Sequence, residues 1–214
     1  MRVRVLGAYG GSSPWHRQTS FLLDGTVSLD AGALTQSLTL EEQARVRSII
    51  VTHSHLDHVA SLPFLVENVF GRVQGAIEIV ATKDVASLLQ DHLFNDAVWP
   101  DFTRIPNHLL PAVTFRVIEA GVPFHVDGLH ALAVPVSHVV PTYGYLLWDD
   151  RGCVVFSGDT GPTEALWTEA RRARVPPPSF QNTSSSPSSR IRIRGSDRAA
   201  TSARSWGSVG GFMW

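Results

Sequence analysis

Thiols are nearly missing from this chain: Cys153 is the single cysteine in 214 residues, so no disulfide can close within it. That usage fits a reducing compartment, and a cytoplasmic protein is expected. Cys153 stands in an apolar run, where a small core residue is the simplest reading. No stretch reaches the roughly 18 consecutive apolar residues of a membrane helix, so no membrane association is expected. Met1-Arg2-Val3-Arg4-Val5-Leu6 begins with basic residues but no apolar segment follows, and it reads as a first strand, not as a leader. Positive charge is also scarce in most of the chain. Residues 1–170 hold 10 basic and 18 acidic side chains, a net −8, which suits a long polyanion such as nucleic acid poorly. Finally, no histidine occurs after His138.

What is present supports one globular domain, because 43% apolar residues at this length supply a sizeable core. Residues 2–7 alternate as a strand and run into Gly7-Ala8-Tyr9-Gly10-Gly11, a loop that lets backbone approach a ligand. Residues 20–23 and 27–30 read as a hairpin closed at Asp24-Gly25. Thr39 and Glu42 have the spacing of a capping box, predicting a short helix to residue 45. A strand over 48–52, a helix over 59–70, a strand over 77–81 and a helix over 82–93 follow. Residues 95–111, rich in Trp, Phe and Pro, read as a structured loop. Strands are expected over 114–118, 123–126, 129–136, 143–148 and 154–157, then a helix over 163–172. Strand-rich blocks separated by helices predict sheets packed together and covered by helices.

The densest chemistry lies in Val51-Thr52-His53-Ser54-His55-Leu56-Asp57-His58, directly after the apolar run Ile49-Ile50-Val51. Side chains two apart on an extended segment point the same way, so His53 and His55 can grip one metal ion. After a turn at Leu56, Asp57 and His58 can face a second ion. Imidazoles with a carboxylate suit Zn2+, and also Mn2+ or Fe2+. His138 and Asp159 stand at other strand ends and join the candidate ligand set; a carboxylate between two ions can bridge them, and Asp159 is placed for that. Two zinc ions roughly 3.5–4 Å apart can share a water, lower its pKa to about 7 and make it a nucleophile toward an ester or phosphodiester.

Weaker candidates stand beside these. Asp30 either orients a ligand histidine or is a turn residue at a strand end. His16, His92, His108, His125 and His130 have no partner visible in the sequence and read as surface or filler. Trp99 and Phe102 either stack on a base at the site mouth or, as we favour, pack a loop down. The glycine-rich turn over 7–11 is weak evidence for a phosphate contact.

The segments His53-Ser54-His55-Leu56-Asp57-His58-Val59-Ala60-Ser61-Leu62, Trp99-Pro100-Asp101-Phe102-Thr103, Ser137-His138-Val139-Val140-Pro141 and Phe156-Ser157-Gly158-Asp159-Thr160-Gly161-Pro162 resemble a metallo-β-lactamase-fold hydrolase over about residues 2–170. Within that superfamily the chain is most similar to the class II cyclic-nucleotide phosphodiesterases, although Pro63 stands where an aliphatic residue is usual. The resemblance implies an α/β (α+β) fold, a four-layer αββα sandwich with metals at one edge. It matches His53, His55 and His138 to the first zinc, Asp57 and His58 to the second, and Asp159 to the bridge. Asp57, His58 and His138 are then the residues expected to act in catalysis. The implied reaction is water attack on a 3′,5′-cyclic nucleotide such as cAMP, giving the 5′-monophosphate. The partner is a small-molecule nucleotide; pairing into a homodimer stays open. Other hydrolases of the fold (RNA 3′-end endonuclease, thioesterase, lactonase) and an inactive metal-binding remnant are the alternatives.

The pattern breaks near residue 171. The family expects a further strand, a helix and a last strand end with one more histidine. Residues 171–214 instead hold eight arginines and one aspartate among many serines, a net +7 without sustained periodicity. We expect a domain over 1–170, truncated in its C-terminal half, followed by an atypical disordered tail over 171–214. A changed reading frame is the favoured origin of that tail, and a basic arm for nucleic acid or membrane is a weaker one. Residues 191–194 could alternate as a strand, but are too few to replace a half-layer.

Overall fold

The computed structural model describes residues 1–73 and 75–172, with the backbone of residues 191–193. The first sheet lines up in chain order: β1 (Val3–Gly7), β2 (Ser20–Leu23), β3 (Val27–Leu29), β4 (Ser48–Ile50), β5 (Ile77–Thr82) and β6 (Val113–Ile118). Its first three strands are antiparallel and the rest are parallel. Asp24 and Gly25 both have positive φ, 46° and 88°, the backbone of a tight turn that matches strand twist. Parallel neighbours need longer crossovers. Helices α1 (Leu34–Ser37) and α2 (Leu40–Gln43) cross from β3 to β4, α3 (Leu56–Val59) and α4 (Leu62–Val69) from β4 to β5, and α5 (Lys83–His92) from β5 to β6. The capping box at Thr39 and Glu42 is formed in both directions.

A second, antiparallel sheet has the order β11-β10-β9-β8-β7, from β7 (Phe124–Val126), β8 (Leu129–Pro135), β9 (Tyr143–Asp149), β10 (Gly152–Phe156) and β11 (Ile191–Ile193). Helix α6 (Ala165–Arg172) follows β10.

Strand alternation sorts the core into layers. Leu22, Ile49, Ile79 and Ala81 face outward from the first sheet and pack with Leu34, Leu62, Leu65, Val85 and Leu89 of its helices. Their neighbours Phe21, Leu23, Ile50 and Val80 point the other way, against Ala131, Ala133, Tyr145, Leu147 and Phe156 of the second sheet. On that sheet's outer face Leu132, Val134, Leu146 and Val155 meet Leu166 and Ala170 of α6. Helices, sheet, sheet, helix: the chain folds as a four-layer αββα sandwich.

The expected helix over 59–70 is two helices, and the first begins at Leu56. Pro63 has no N–H to reach back one turn, so a continuous helix is interrupted there. Asp57 and His58 therefore sit in a helical turn and not in a loop. Residues 95–111 contain no named strand or helix, as expected. Trp99 packs edge-on against Phe64, and Phe102 is buried against Phe70, so these aromatics hold the loop down.

The exposed β10 edge implied by a truncated sheet is met for three residues by β11, with Val155 opposite Arg192. That strand is the alternating run noted in the sequence. The expected disorder of the tail, 173–190 and 194–214, lies outside the described residues.

Candidate metal centre

Four strand ends converge at one rim of the sandwich. Asp30 follows β3, residues 51–58 follow β4, His138 follows β8 and Asp159 follows β10. Backbone hydrogen bonds hold these ends in place across the two sheets. Tyr143 N–H donates to the Thr52 carbonyl at 3.1 Å, and Gly161 N–H to the Ser137 carbonyl at 2.8 Å. The latter, with the Ser137 N–H donating to the Thr160 hydroxyl at 3.1 Å, draws the loop of His138 onto that of Asp159.

His53, His55 and His138 come together with one nitrogen each inside a 4.8 Å group, and His53, His58 and Asp159 form a second such group. His138 Nε2 and His55 Nδ1 are 3.2 Å apart. His58 Nε2 lies 3.4 Å from Asp159 Oδ1 and 3.5 Å from Asp57 Oδ2. All six residues singled out in the sequence thus share one site. Asp57 stands at its margin, beside the glycine-rich loop: a Cβ on Gly10 would lie 3.4 Å from its Oδ2.

The support for His58 is a buried network. Asp30 Oδ2 faces His58 Nδ1 at 2.7 Å, and the Asp30 carboxylate accepts from the Thr52 N–H at 2.8 Å and from its hydroxyl. Thr52 Oγ1 lies 2.9 Å from His53 Nδ1. With Nδ1 so engaged in both rings, Nε2 of His53 and of His58 are turned into the site. Both Nε2 atoms are buried and make no hydrogen bond to the protein. Buried polar atoms are normally satisfied, and two converging imidazole nitrogens beside carboxylates are the donor set of a divalent metal ion, which takes the place of any proton held there. The residues therefore fit a metal.

Asp30 itself has φ 57° and is fully buried, and the turn after it brings in α3. Ala31 N–H donates to the His58 carbonyl at 2.7 Å. At Gly32 a Cβ would fall 2.0 Å from the Asp57 carbonyl oxygen, so only glycine admits this approach. Of the two readings of Asp30, the geometry supports orientation of a histidine. Thr52 was not singled out in the sequence; its position between a buried strand and His53 was the only signal.

The electrostatics follow from burial and neighbours. Burial, with the nearby His58 charge, lowers the His53 pKa to about 3, so its ring is neutral. At His58 burial works against the charge, yet Asp30 and Asp159 outweigh it and raise the pKa to about 10. The close approach of His58 Nε2 at 3.4 Å draws Asp159 below its ordinary value, whereas burial pushes Asp57 up. Burial and the His55 charge lower His138.

A family model for the beta-lactamase superfamily domain matches residues 19–179, and the chain belongs to that family. Among curated proteins it is 26% identical over 202 residues to 3′,5′-cyclic-nucleotide phosphodiesterase of Aliivibrio fischeri, covering 78% of this chain and 59% of that one. It is 28% identical over 142 residues to 3′,5′-cyclic-nucleotide phosphodiesterase 1 of Saccharomyces cerevisiae, covering 59% and 37%. Ribonuclease BN of Proteus mirabilis is 25% identical over 178 residues, covering 78% and 55%. The chain thus spans about a third to three-fifths of these relatives' lengths. Among solved structures, unliganded yeast PDE1 superposes with a TM-score of 0.66 at 18% identity, covering 81% of this chain and 71% of that one. The short form of human tRNase Z gives 0.54 at 19%, covering 74% and 69%. At such identities these two establish the fold, which is the metallo-β-lactamase fold expected from the sequence. Among the described residues no helix is long and apolar enough to cross a membrane.

Proposed function

We propose that this chain is a metal-dependent phosphodiesterase that hydrolyses 3′,5′-cyclic nucleotides to 5′-monophosphates. The observation that carries the reading is the convergence of His53, His55 and His138 beside His58, Asp57 and Asp159 at one rim, in a chain with cyclic-nucleotide phosphodiesterases among its relatives. His53, His55 and His138 would hold one ion; Asp57 and His58 would hold a second, with Asp159 between them. Bound there, Zn2+ (or Mn2+ or Fe2+) supplies Lewis acidity and a nucleophilic water near neutral pH.

The protein's own contribution is placement. Asp30 and Thr52 keep the His53 and His58 rings turned with Nε2 toward the rim, so little reorganisation accompanies binding. Asp57, raised by burial, sits against the glycine-rich loop, where backbone can approach a phosphate closely. In the reaction, water oxygen adds to phosphorus, the bond to the 3′ oxygen breaks, and that oxygen takes up a proton.

Ribonuclease BN, which matches an equal share of this chain, favours RNA cleavage as a second reading. The net −8 of residues 1–170 argues against it, since an RNA processor needs cationic surface for its substrate. The sequence also lacks a histidine after His138, which leaves the second ion one family ligand short. We further propose that residues 1–170 are the domain proper and that 171–214 derive from another reading frame. A strand, a helix and a histidine encoded in another frame downstream would support that origin; their absence would end it.

The test is zinc content by elemental mass spectrometry together with hydrolysis of cAMP, cGMP and a precursor tRNA. About two zinc ions and cyclic-nucleotide turnover are expected if the reading holds. Turnover of the tRNA alone favours the second reading. One zinc without turnover makes the chain a metal-binding remnant, and no zinc without turnover makes it an inactive one.

A further inference from the structure

We infer that His125 and His130 form a second, independent metal-binding site, a two-imidazole chelate for a divalent ion such as Cu2+, Ni2+ or Zn2+, read out by Trp148. The two histidines show no partner in the sequence, but the β7–β8 hairpin makes them direct cross-strand partners. Its loop is the two residues Asp127 and Gly128, with φ 45° and 80°. A tight turn of this kind fixes register, and the flanking residues Val126 and Leu129 form the hydrogen-bonded pair. The next pair, His125 and His130, is then of the non-hydrogen-bonded kind, in which Cα atoms are about 4.5 Å apart and side chains lie closest. The His125 carbonyl agrees with this: it points off the sheet edge and accepts from the Arg116 guanidinium at 2.8 Å.

The two rings have centroids 4.2 Å apart, tilted by 56°. His125 is exposed and His130 half-buried, so solvent reaches the pair and small rotations can bring one nitrogen of each ring to a shared ion at about 2.0–2.1 Å. Imidazole donors without thiolate or carboxylate favour copper over nickel and zinc in the usual order of affinities. On the other side His130 stacks flat on Trp148, with centroids 5.4 Å apart and planes 11° from parallel. An open-shell ion held by His130 would therefore quench that indole.

This pair is not part of the strand-end rim. It lies at the start of β8, whereas His138 follows its end, so six residues of strand separate it from the rim's side by roughly 20 Å. The inference does not depend on the proposed function.

The experiment is a Cu2+ titration of the full-length protein, first saturated with Zn2+ and freed of excess, followed by tryptophan fluorescence and electron paramagnetic resonance. One saturable Cu2+ per chain with imidazole nitrogen couplings and partial quenching is expected. His125→Gln and His130→Gln should each weaken binding by about tenfold or more, since even losing an outer partner of a ligand costs about 10–100-fold. Trp148→Phe should keep the resonance signal and lose the quenching. Binding unchanged in both glutamine variants, or abolished instead by replacing His16, His92 and His108, would overturn the inference.

Discussion

Asp30 and His58 meet through Oδ2 and Nδ1 at 2.7 Å, with both side chains fully buried. Twenty-eight positions apart in sequence, they join the end of one strand to the first turn of a helix, and they set which nitrogen of His58 is offered to the rim. Asp30→Asn keeps the shape but removes the charge that holds the Nδ1 proton. We expect zinc affinity to fall about 10–100-fold, measured by competition with a chromophoric chelator. Asp30→Ala, which leaves His58 and the Thr52 N–H without their buried partner, should also lower unfolding free energy by about 3–5 kcal/mol. Unchanged affinity in the asparagine variant would remove Asp30 from the site's support.

Metal removal should loosen the whole domain, because the donors come from strands of both sheets. An ion present at about a hundred times its Kd adds about 2.7 kcal/mol. For a domain of this size, that is a rise in Tm of roughly 5–10 °C over the chelated protein. Calorimetry with and without a chelator measures it. Equal Tm values in the two states would mean that the rim holds no ion of consequence.

Tyr145 predicts behaviour in alkali. Its ring is fully buried between the sheets, and its hydroxyl donates to the Val51 carbonyl at 3.1 Å, one residue before Thr52. Burial, and then the Asp30 charge, raise its pKa above the ordinary phenol value. The sign follows: the unfolded chain ionises this group above about pH 10 while the folded chain does not, so stability present below that pH is lost as pH rises further. Tyr145→Phe should flatten the decline above about pH 10 by up to about 1.4 kcal/mol per pH unit. It should cost about 1 kcal/mol at neutral pH, through the lost hydrogen bond. Denaturant titrations over this range decide it, and an identical alkaline slope would contradict the assignment.

The capping box is a smaller test of local structure. Thr39→Ala removes the acceptor for the Glu42 N–H, and should lower stability by about 1 kcal/mol without changing bound metal. A loss of metal in this variant would show that α2 is coupled to the rim in a way its position does not suggest.

Several features were legible in the chain itself because they are local. The hairpin at Asp24-Gly25 follows from turn chemistry, the capping box from a three-residue spacing, and the strand before His53 from an apolar run. The six candidate ligands were readable because each sits just past an apolar strand, and strand ends of packed sheets gather at a common rim. The helix beginning at Leu56 starts three residues before the sequence predicts, since the histidines obscure its periodicity and Pro63 breaks it.

What the sequence by itself determined, then, was the kind of each element and the donor chemistry, because backbone conformation and side-chain type act over a few residues. Only the tertiary structure decided the pairings. That Asp30 serves His58 and not His53, that Thr52 stands between them, and that His125 faces His130 beside Trp148 all depend on register across strands. A slip of one residue would turn His125, His130 and Trp148 to the opposite face and shift the strand ends that carry Asp30 and Thr52, and that register is selected by the packing of both sheets together.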